Sequence, residues 1–258
     1  MRANGGITLW FILRAATKAR YNTRELASNS EAVHFKIYSD QPTVPTDLIE
    51  VDNENPGGDA ISRAADVIRR GGVVAIPSDA LYTLVADPMN LQAVVRVYKA
   101  KGREPNRSLP LLVSDLLMAE ELAKQLDSRF YLLARHFWPG PLTMIVPSSA
   151  KVPLRVTGNT GRLALRHSKS PVAQALTEHL GQAVISTSAN ISGQPTCRTG
   201  IEVFAVMDGS LDLVLDGGLC TGEGSTTIDV TDPSWKLIKE GTISQRDIHD
   251  CLNQAGAL

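Results

Sequence analysis

The chain has 258 residues, 43% hydrophobic and 21% charged, which is enough to bury a sizeable core and fits one large domain or two small ones. The formal net charge of -1 provides no global field that attracts nucleic acid, so an RNA contact would need a local basic patch. The three cysteines form no CxxC pair, which argues against a disulfide framework or zinc site, and no apolar run is long enough to span a bilayer.

The first 24 residues carry basic side chains, a short apolar run at 7–13 and no acidic residue. Such a composition is typical of an organelle-targeting segment, and the apolar run alone would suit an export signal, although no small-residue cleavage site follows it. We favour a third interpretation, an upstream extension that does not join the fold, and therefore expect a cytoplasmic protein.

The stretch 28–58 is polar and interrupted by Pro and Gly, so it is predicted to be a linker. Residues 1–58 are accordingly expected to be a poorly packed extension or linker, followed by one domain over 59–258. That domain opens with a helix, because Ile61, Ala64, Ala65 and Ile68 share one helical face and Gly71 with Gly72 ends it.

The remaining elements follow in chain order. Strands are predicted at 73–76, 109–113, 142–146, 163–165, 183–186, 213–215, 226–230 and 236–238. Helices are predicted after the cap Asn90, from the cap Ser114 to about 126, at 128–137, from Ser170-Pro171 to Gly181, at 200–207 and after Ser244.

The alternation of short apolar strands with amphipathic helices predicts an α/β layer architecture. The link between the strands at 226–230 and 236–238 is too short for a helical crossover, so the sheet is expected to be mixed.

Common catalytic and phosphate-binding signatures are absent from the sequence: GxxxxGK[ST], a strand-linked GxGxxG, HExxH and GxSxG. The five histidines have no metal-ligand spacing. If the protein is an enzyme, we expect it to hold charged substrates in place rather than use a covalent nucleophile or a protein-bound metal.

A cluster of cations, Lys99, Lys101, Arg103 and Arg107, lies at the end of a predicted helix. Lysine as a point charge and arginine as a bidentate fork suit a polyphosphate. The alternative is that these cations stay solvated and complement the helix dipole.

A row of hydroxyl and amide side chains, Ser186, Thr187, Ser188 and Asn190, follows a predicted apolar strand. The carboxyl ends of strands are where open α/β sheets bind ligands, and ordinary turn chemistry is the alternative. Two further segments are weaker signals for a binding site. Segment 137–143 contains a Pro-Gly-Pro turn, which we interpret as structural. The Gly-rich stretch 217–226 would let backbone amides approach an anion.

In their order and spacing, several segments resemble the YrdC-like family, over roughly residue 59 to the C-terminus. The matching segments are 77–82 (PSDALY), 101–103 (KGR), 138–143 (WPGPLT), 165–166 (LR), 188–193 (SANISG), 225–229 (STTID) and 238–241 (IKEG). The resemblance implies an open, twisted α/β sheet, mostly antiparallel or mixed, with flanking helices and a basic concave cleft.

The resemblance also implies an activity, the nucleotidyltransferase reaction of an L-threonylcarbamoyladenylate synthase. L-Threonine, bicarbonate and ATP, with Mg²⁺ accompanying the ATP, would yield threonylcarbamoyl-AMP and pyrophosphate. The product would pass to a transferase complex acting on tRNA adenosine 37. Contact with tRNA or double-stranded RNA would fit this role, and no membrane association is expected.

The family pattern assigns roles residue by residue. The catalytic positions are Lys101 and Arg103. The ATP-binding positions are Arg103, Arg107, Arg162, Ser188, Asn190, Thr196 and Lys239. The threonine-binding positions are Ala80, Arg166, Ser186 and Ser225. The sequence departs from the family pattern in that Ala80 lacks the hydroxyl of the frequent threonine, Ser114 replaces a histidine and Ser186 replaces an alanine.

Two alternatives have other functions. A YciO-type RNA-binding protein of the same fold would lack threonine-dependent activity and would bind RNA with a steep salt dependence. A carbamoyl-transfer domain of hydrogenase maturation ranks low, because this chain lacks the length and the CxxC pairs of those proteins.

Overall fold

The computed structural model describes residues 45–254, so the basic N-terminal segment lies outside the described residues. The strands are β1 (Asp47–Glu50), β2 (Val74–Ile76), β3 (Thr83–Ala86), β4 (Leu111–Leu112), β5 (Leu142–Pro147), β6 (Arg162–Arg166), β7 (Val184–Ser188), β8 (Leu213–Asp216), β9 (Thr226–Asp229) and β10 (Lys236–Lys239). The helices are α1 (Gly58–Arg69), α2 (Leu91–Lys101), α3 (Leu116–Leu122), α4 (Ser128–Phe137), α5 (Leu154–Thr157), α6 (Pro171–Leu180), α7 (Gly200–Met207) and α8 (Gln245–Gln254).

The strands of this described range form one ten-stranded open sheet in the order β1-β8-β2-β3-β7-β4-β6-β5-β9-β10. The pairs β1–β8, β2–β8, β4–β6 and β5–β9 are parallel, and the other neighbours are antiparallel. The predicted mixed α/β sheet with flanking helices is therefore confirmed.

The two faces of the sheet are covered differently. Because successive side chains of a strand point to opposite faces, Leu84 and Ile185 lie in a large apolar cluster with residues of α2, α3, α4, α7 and α8. Val85 and Val184 point the other way, into a smaller cluster that residues of α1 and α6 complete. This second cluster ends near β4, so the same face of β6, β5 and β9 has no core cluster of its own among the described residues. We call this uncovered part the open face.

Local signals define the helix ends. Asn90 accepts hydrogen bonds from the backbone amides of Gln92 and Ala93, and Gly102 closes α2 in the left-handed conformation, as the sequence predicts. The α3 prediction is wrong in detail: Asp115, not Ser114, caps this helix by accepting from the amide of Met118. The helix also ends early, at Leu122, because Ala123 adopts extended backbone and pairs with a residue near the end of β5.

The domain begins earlier than predicted. β1 lies inside the predicted linker, where it pairs in parallel with β8, and the compact unit starts at Thr46. The Thr46 hydroxyl is buried, donates to the carbonyl of Leu211 at 2.8 Å and accepts from the amide of Gly209 at 2.9 Å. This strand was hard to predict from the sequence, because it is only four residues long and its side chains are mostly exposed. β3 and α5 were not predicted either.

Within residues 45–254, the structure contains no helix that combines the length and hydrophobicity needed to cross a membrane.

Candidate functional site

Ser186 and Ser188 of the predicted hydroxyl row lie on β7, on the same side of the sheet as the open face. Ser188 pairs in register with Thr83 of β3, and the hydroxyls of Thr83 and Ser186 lie 2.9 Å apart. Ser186 and Ser188 are two residues apart on β7 and therefore share a face. Ser188 is exposed, so its hydroxyl is available to a ligand on this side of the sheet.

Lys101, the last residue of α2, is buried against this row, with an exposed fraction of only 3%. Its ammonium group donates to the carbonyl oxygens of Ser188, at 2.5 Å, and Asn190, at 3.1 Å. It also donates to the side-chain oxygen of Asn190, at 2.8 Å, which in turn accepts from the Ser188 hydroxyl at 2.7 Å. The backbone joins the same cluster, because the amide of Ser192 donates to the carbonyl of Lys101.

This arrangement changes the role expected of Lys101. An ammonium group has three N–H donors, and three protein oxygens already take them at short distance. Lys101 therefore shapes the turn that follows β7 and brings positive charge near the cleft, rather than pointing a spare donor at a ligand. Burial, and secondarily the nearby charge of Arg103, lower the pKa of Lys101 to about 8.

Arg103 is the cation with spare donors beside this turn. It is half-buried, and burial lowers its pKa. Its Nη2 donates to the carbonyl of Ser108 at 3.3 Å, and its other donors bind no residue in 45–254. The loop that carries it is fixed by Tyr98, whose hydroxyl donates to the carbonyl of Arg107. The Arg107 side chain is exposed.

Arg162 also lies on the open face. Through β4, the ladders place Arg166 level with Val184, so Arg162 comes level with Ser188 two strands away, roughly 10 Å across the sheet. Arg162 is paired with the buried carboxylate of Asp229 at 2.6 Å.

Two further predicted ATP ligands lie in loops or at the sheet edge. Lys239 is exposed at the end of β10, and a Cβ built on Gly224 would lie 3.5 Å from its Nζ. Thr196 is half-buried in the loop between β7 and α7.

Arg166 ends β6 and is 8% exposed. Its Nε donates to the carbonyl of Gly140 at 3.2 Å, and its Nη2 donates to Oδ1 of Asp79 at 2.7 Å. The hydroxyl of Ser168 donates to the same carboxylate oxygen. An arginine fixed on two sides in this way presents its remaining edge in a defined orientation.

The glycine-rich loop 217–225 brings Ala80 and Ser225 to the Arg166 region. Gly222 packs so closely on Ala80 that a Cβ there would lie 2.6 Å from the Ala80 carbonyl oxygen. The Ser225 hydroxyl accepts from Thr143 at 3.1 Å. Ser186, the remaining predicted threonine ligand, lies about 12 Å from Arg166 by strand spacing and rise. Its hydroxyl contacts that of Thr83 instead.

Sequence reasoning missed the functional potential of Asp79. Asp79 stands in the segment 77–82, directly after the buried strand β2. An acidic side chain at the carboxyl end of a buried strand is itself a signal for a site, and it was available in the sequence. The ion pair between Asp79 and Arg166 joins residues 87 positions apart, so it could not be predicted from the sequence.

The chain is similar in sequence to known proteins. The Sua5/YciO/YrdC family model, described as Telomere recombination, matches residues 66–241. The threonylcarbamoyl-AMP synthase of Pyrococcus abyssi is 33% identical over 192 residues, 74% of this chain and 56% of the relative. The threonylcarbamoyl-AMP synthase of Bacillus subtilis is 34% identical over 73% of this chain and 55% of the relative. That of Halorhodospira halophila is 35% identical over 68% of this chain and 94% of the relative. The chain thus spans little more than half the length of the first two relatives.

Solved structures show the same fold. P. abyssi Sua5 complexed with L-threonine superposes with a TM-score of 0.78 at 33% identity, over 80% of this chain and 61% of that one. Escherichia coli YciO gives a TM-score of 0.74 at 25% identity, over 79% of this chain and 99% of that one.

Proposed function

We propose, since this chain belongs to the Sua5/YciO/YrdC family, that it is an L-threonylcarbamoyladenylate synthase. It would convert L-threonine, bicarbonate and ATP into threonylcarbamoyl-AMP and pyrophosphate. The observation that carries the proposal is the open face of the sheet. On this side of the sheet, Ser188 and the cation Arg103 near Lys101 would form a phosphate-binding set, and Arg166 would present an oriented guanidinium to a carboxylate.

The nucleotide half of the site is proposed as follows. Arg103 and Arg107 would neutralise the phosphate chain, and the Ser188 hydroxyl would turn its single O–H from Asn190 to a phosphate oxygen. Lys101 would hold the turn in place through the Ser188 carbonyl and the Asn190 side chain. Arg162, Thr196 and Lys239 complete the predicted ATP contacts.

The amino-acid half centres on Arg166, which would bind the threonine carboxylate with its free edge. Ser225 would contact the amino acid, with Ala80 forming part of the wall beneath loop 217–225. Ser186 would lie between the two halves, on the path from the amino acid to the phosphate chain.

The proposed chemistry balances without a covalent enzyme intermediate. The threonine amino group and bicarbonate give a carbamate and water, and a carbamate oxygen then attacks the α-phosphorus of ATP. The bond to the bridging oxygen breaks and pyrophosphate leaves. Such a transfer depends on positioning and charge neutralisation, which fixed cations and hydroxyls supply.

Mg²⁺ is expected to arrive with ATP as part of the substrate. In the described part of the chain, no group of three or more His, Cys, Asp or Glu side chains is placed to hold a metal ion. The phosphate oxygens of the nucleotide are therefore the expected ligands. The product would pass to a tRNA-modifying transferase, and we expect this to take place in the cytoplasm.

A turnover assay tests the proposal. The full chain is incubated with ATP, Mg²⁺, bicarbonate and each amino acid in turn, and pyrophosphate and threonylcarbamoyl-AMP are quantified. We expect release that depends on both threonine and bicarbonate, and a loss of about 100-fold or more in Arg103→Ala. Arg135→Ala is the matched control, since Arg135 is exposed on α4.

Pyrophosphate release that ignores the amino acid would contradict the proposal. RNA binding that persists without turnover and falls steeply with salt would favour the YciO-type alternative instead.

A further inference from the structure

Asp79 carries a buried acceptor that has no hydrogen-bond donor among the described residues. Its side chain is 3% exposed, and Oδ1 accepts from both Arg166 and Ser168. Oδ2 is buried and has no hydrogen-bond partner within residues 45–254. An unsatisfied buried acceptor destabilises the protein, more so when it is charged, so a donor for Oδ2 is expected to come from a ligand.

The partner of this carboxylate is also incompletely used. Nε of Arg166 donates to the Gly140 carbonyl and Nη2 donates to Asp79 Oδ1, while Nη1 forms no hydrogen bond to a residue in 45–254. A guanidinium with a free N–H group thus lies next to a carboxylate with a free oxygen. This juxtaposition is complementary to a molecule that carries an anion and a nitrogen donor on neighbouring atoms, which describes an α-amino acid.

We propose that Asp79 Oδ2 accepts a hydrogen bond from the α-nitrogen of the amino-acid substrate while Arg166 binds its carboxylate. The inference rests on the proposed function for the identity of the amino acid, and it adds a residue that selects for the nitrogen. The nitrogen would then be held in a fixed direction relative to the carboxylate. That orientation decides where a carbamate built on the nitrogen points.

The position of the glycine-rich loop adds a structural consequence. Gly222 packs on the backbone of Asp79 and Ala80, and a Cβ at Gly222 would lie 2.8 Å from the Asp79 carbonyl oxygen. Because Oδ2 is itself buried, a ligand nitrogen reaches it only when a neighbouring segment moves, and loop 217–225 is a segment in contact with the Asp79 backbone. Amino-acid binding is expected to displace loop 217–225.

Binding measurements without ATP test the proposal. Calorimetric titrations compare L-threonine with (R)-3-hydroxybutanoate, which keeps the carboxylate and the hydroxyl but has no nitrogen. The wild-type chain is expected to bind threonine at least tenfold more tightly than this analogue. Asp79→Asn is expected to weaken threonine binding at least tenfold and to change the affinity for the analogue less than twofold, because the amide places a donor or a weaker acceptor at Oδ2.

Ser168→Ala is the matched control, since it removes a donor to Oδ1 and leaves Oδ2 untouched. Its preference for threonine over the analogue is expected to equal that of the wild type.

Three results would overturn the inference. The first is equal affinity of the wild-type chain for threonine and the analogue, a result that does not depend on whether the Asp79 variant folds. A folded Asp79→Asn variant that retains threonine affinity would also do so. Equal losses for both compounds would mean that Asp79 acts only by holding Arg166.

The outcome is separable from the proposed function. Selective, Asp79-dependent threonine binding in a chain that releases no pyrophosphate would support the inference and contradict the synthase activity. Threonine-dependent turnover by the wild-type chain, with unchanged threonine affinity in Asp79→Asn, would support the synthase activity and contradict the inference.

Discussion

Among single residues, Lys101 gives the sharpest pH dependence. Burial lowers its pKa to about 8, and its charged form holds Ser188 and Asn190 through all three donors. As the pH rises through about 8, the group loses one donor and its charge, so turnover is expected to fall. Titration of the nearby Cys197 does not mask this, because burial raises the pKa of its thiol to about 11. A pH profile of kcat from pH 6.5 to 9.5 measures the effect.

Two variants control this experiment. In Lys101→Met the remaining activity is expected to be at least tenfold lower and to show no inflection near pH 8. Lys151→Met removes an exposed lysine and is expected to keep the wild-type profile. A Lys101 resonance that titrates at the ordinary lysine pKa in NMR would refute the assignment.

At the scale of an element, the loop between β8 and β9 depends on the absence of a side chain at Gly222. A Cβ there would lie within 2.8 Å of backbone atoms of Asp79 and Ala80, which cannot move aside as a flexible side chain could. Gly222→Ala is therefore expected to lower the free energy of unfolding by about 1–3 kcal/mol and to weaken threonine affinity, as measured by urea unfolding and calorimetry.

Gly58→Ala provides the comparison, because a Cβ at the first residue of α1 meets nothing within 4 Å. Stability within about 0.5 kcal/mol of the wild type, or slightly above it, is expected there. Equal stability of the Gly222 and Gly58 variants would show that the loop does not pack on Asp79 and Ala80 as described.

At the scale of the whole molecule, the folded domain includes the strand that precedes the predicted boundary. Thr46 tethers this strand to the turn before β8 by two hydrogen bonds. In the full chain, Thr46→Val is expected to lower the free energy of unfolding by about 1–3 kcal/mol, since it leaves the Leu211 carbonyl and Gly209 amide without that partner. Urea denaturation measures it.

Glu50→Ala, at an exposed position on the same strand, is expected to change the stability by less than about 0.5 kcal/mol. A neutral Thr46→Val would mean that β1 contributes little to the domain and that the boundary near residue 59 was the better description.

Most helices and the mixed character of the sheet were predictable because their signals are local. Asn90 and Ser170 cap their helices through the amides of the first turn, and Gly102 and Gly181 end theirs with left-handed backbone. Strand β1 was not predictable, since its pairing with β8 depends on residues about 165 positions away and its own side chains are mostly exposed.

By itself, the sequence determined which residue types stand at the ends of the strands: the cations 101–107, the hydroxyl row 186–190 and Arg166. Only the tertiary structure decided how their donors and acceptors are used. It turned the ammonium of Lys101 inward onto Ser188 and Asn190, and it left one oxygen of Asp79 beside Arg166 without a partner in the part of the chain that the structure describes. The physical reason is that hydrogen-bond saturation depends on three-dimensional proximity between distant segments, which residue identity and spacing do not encode.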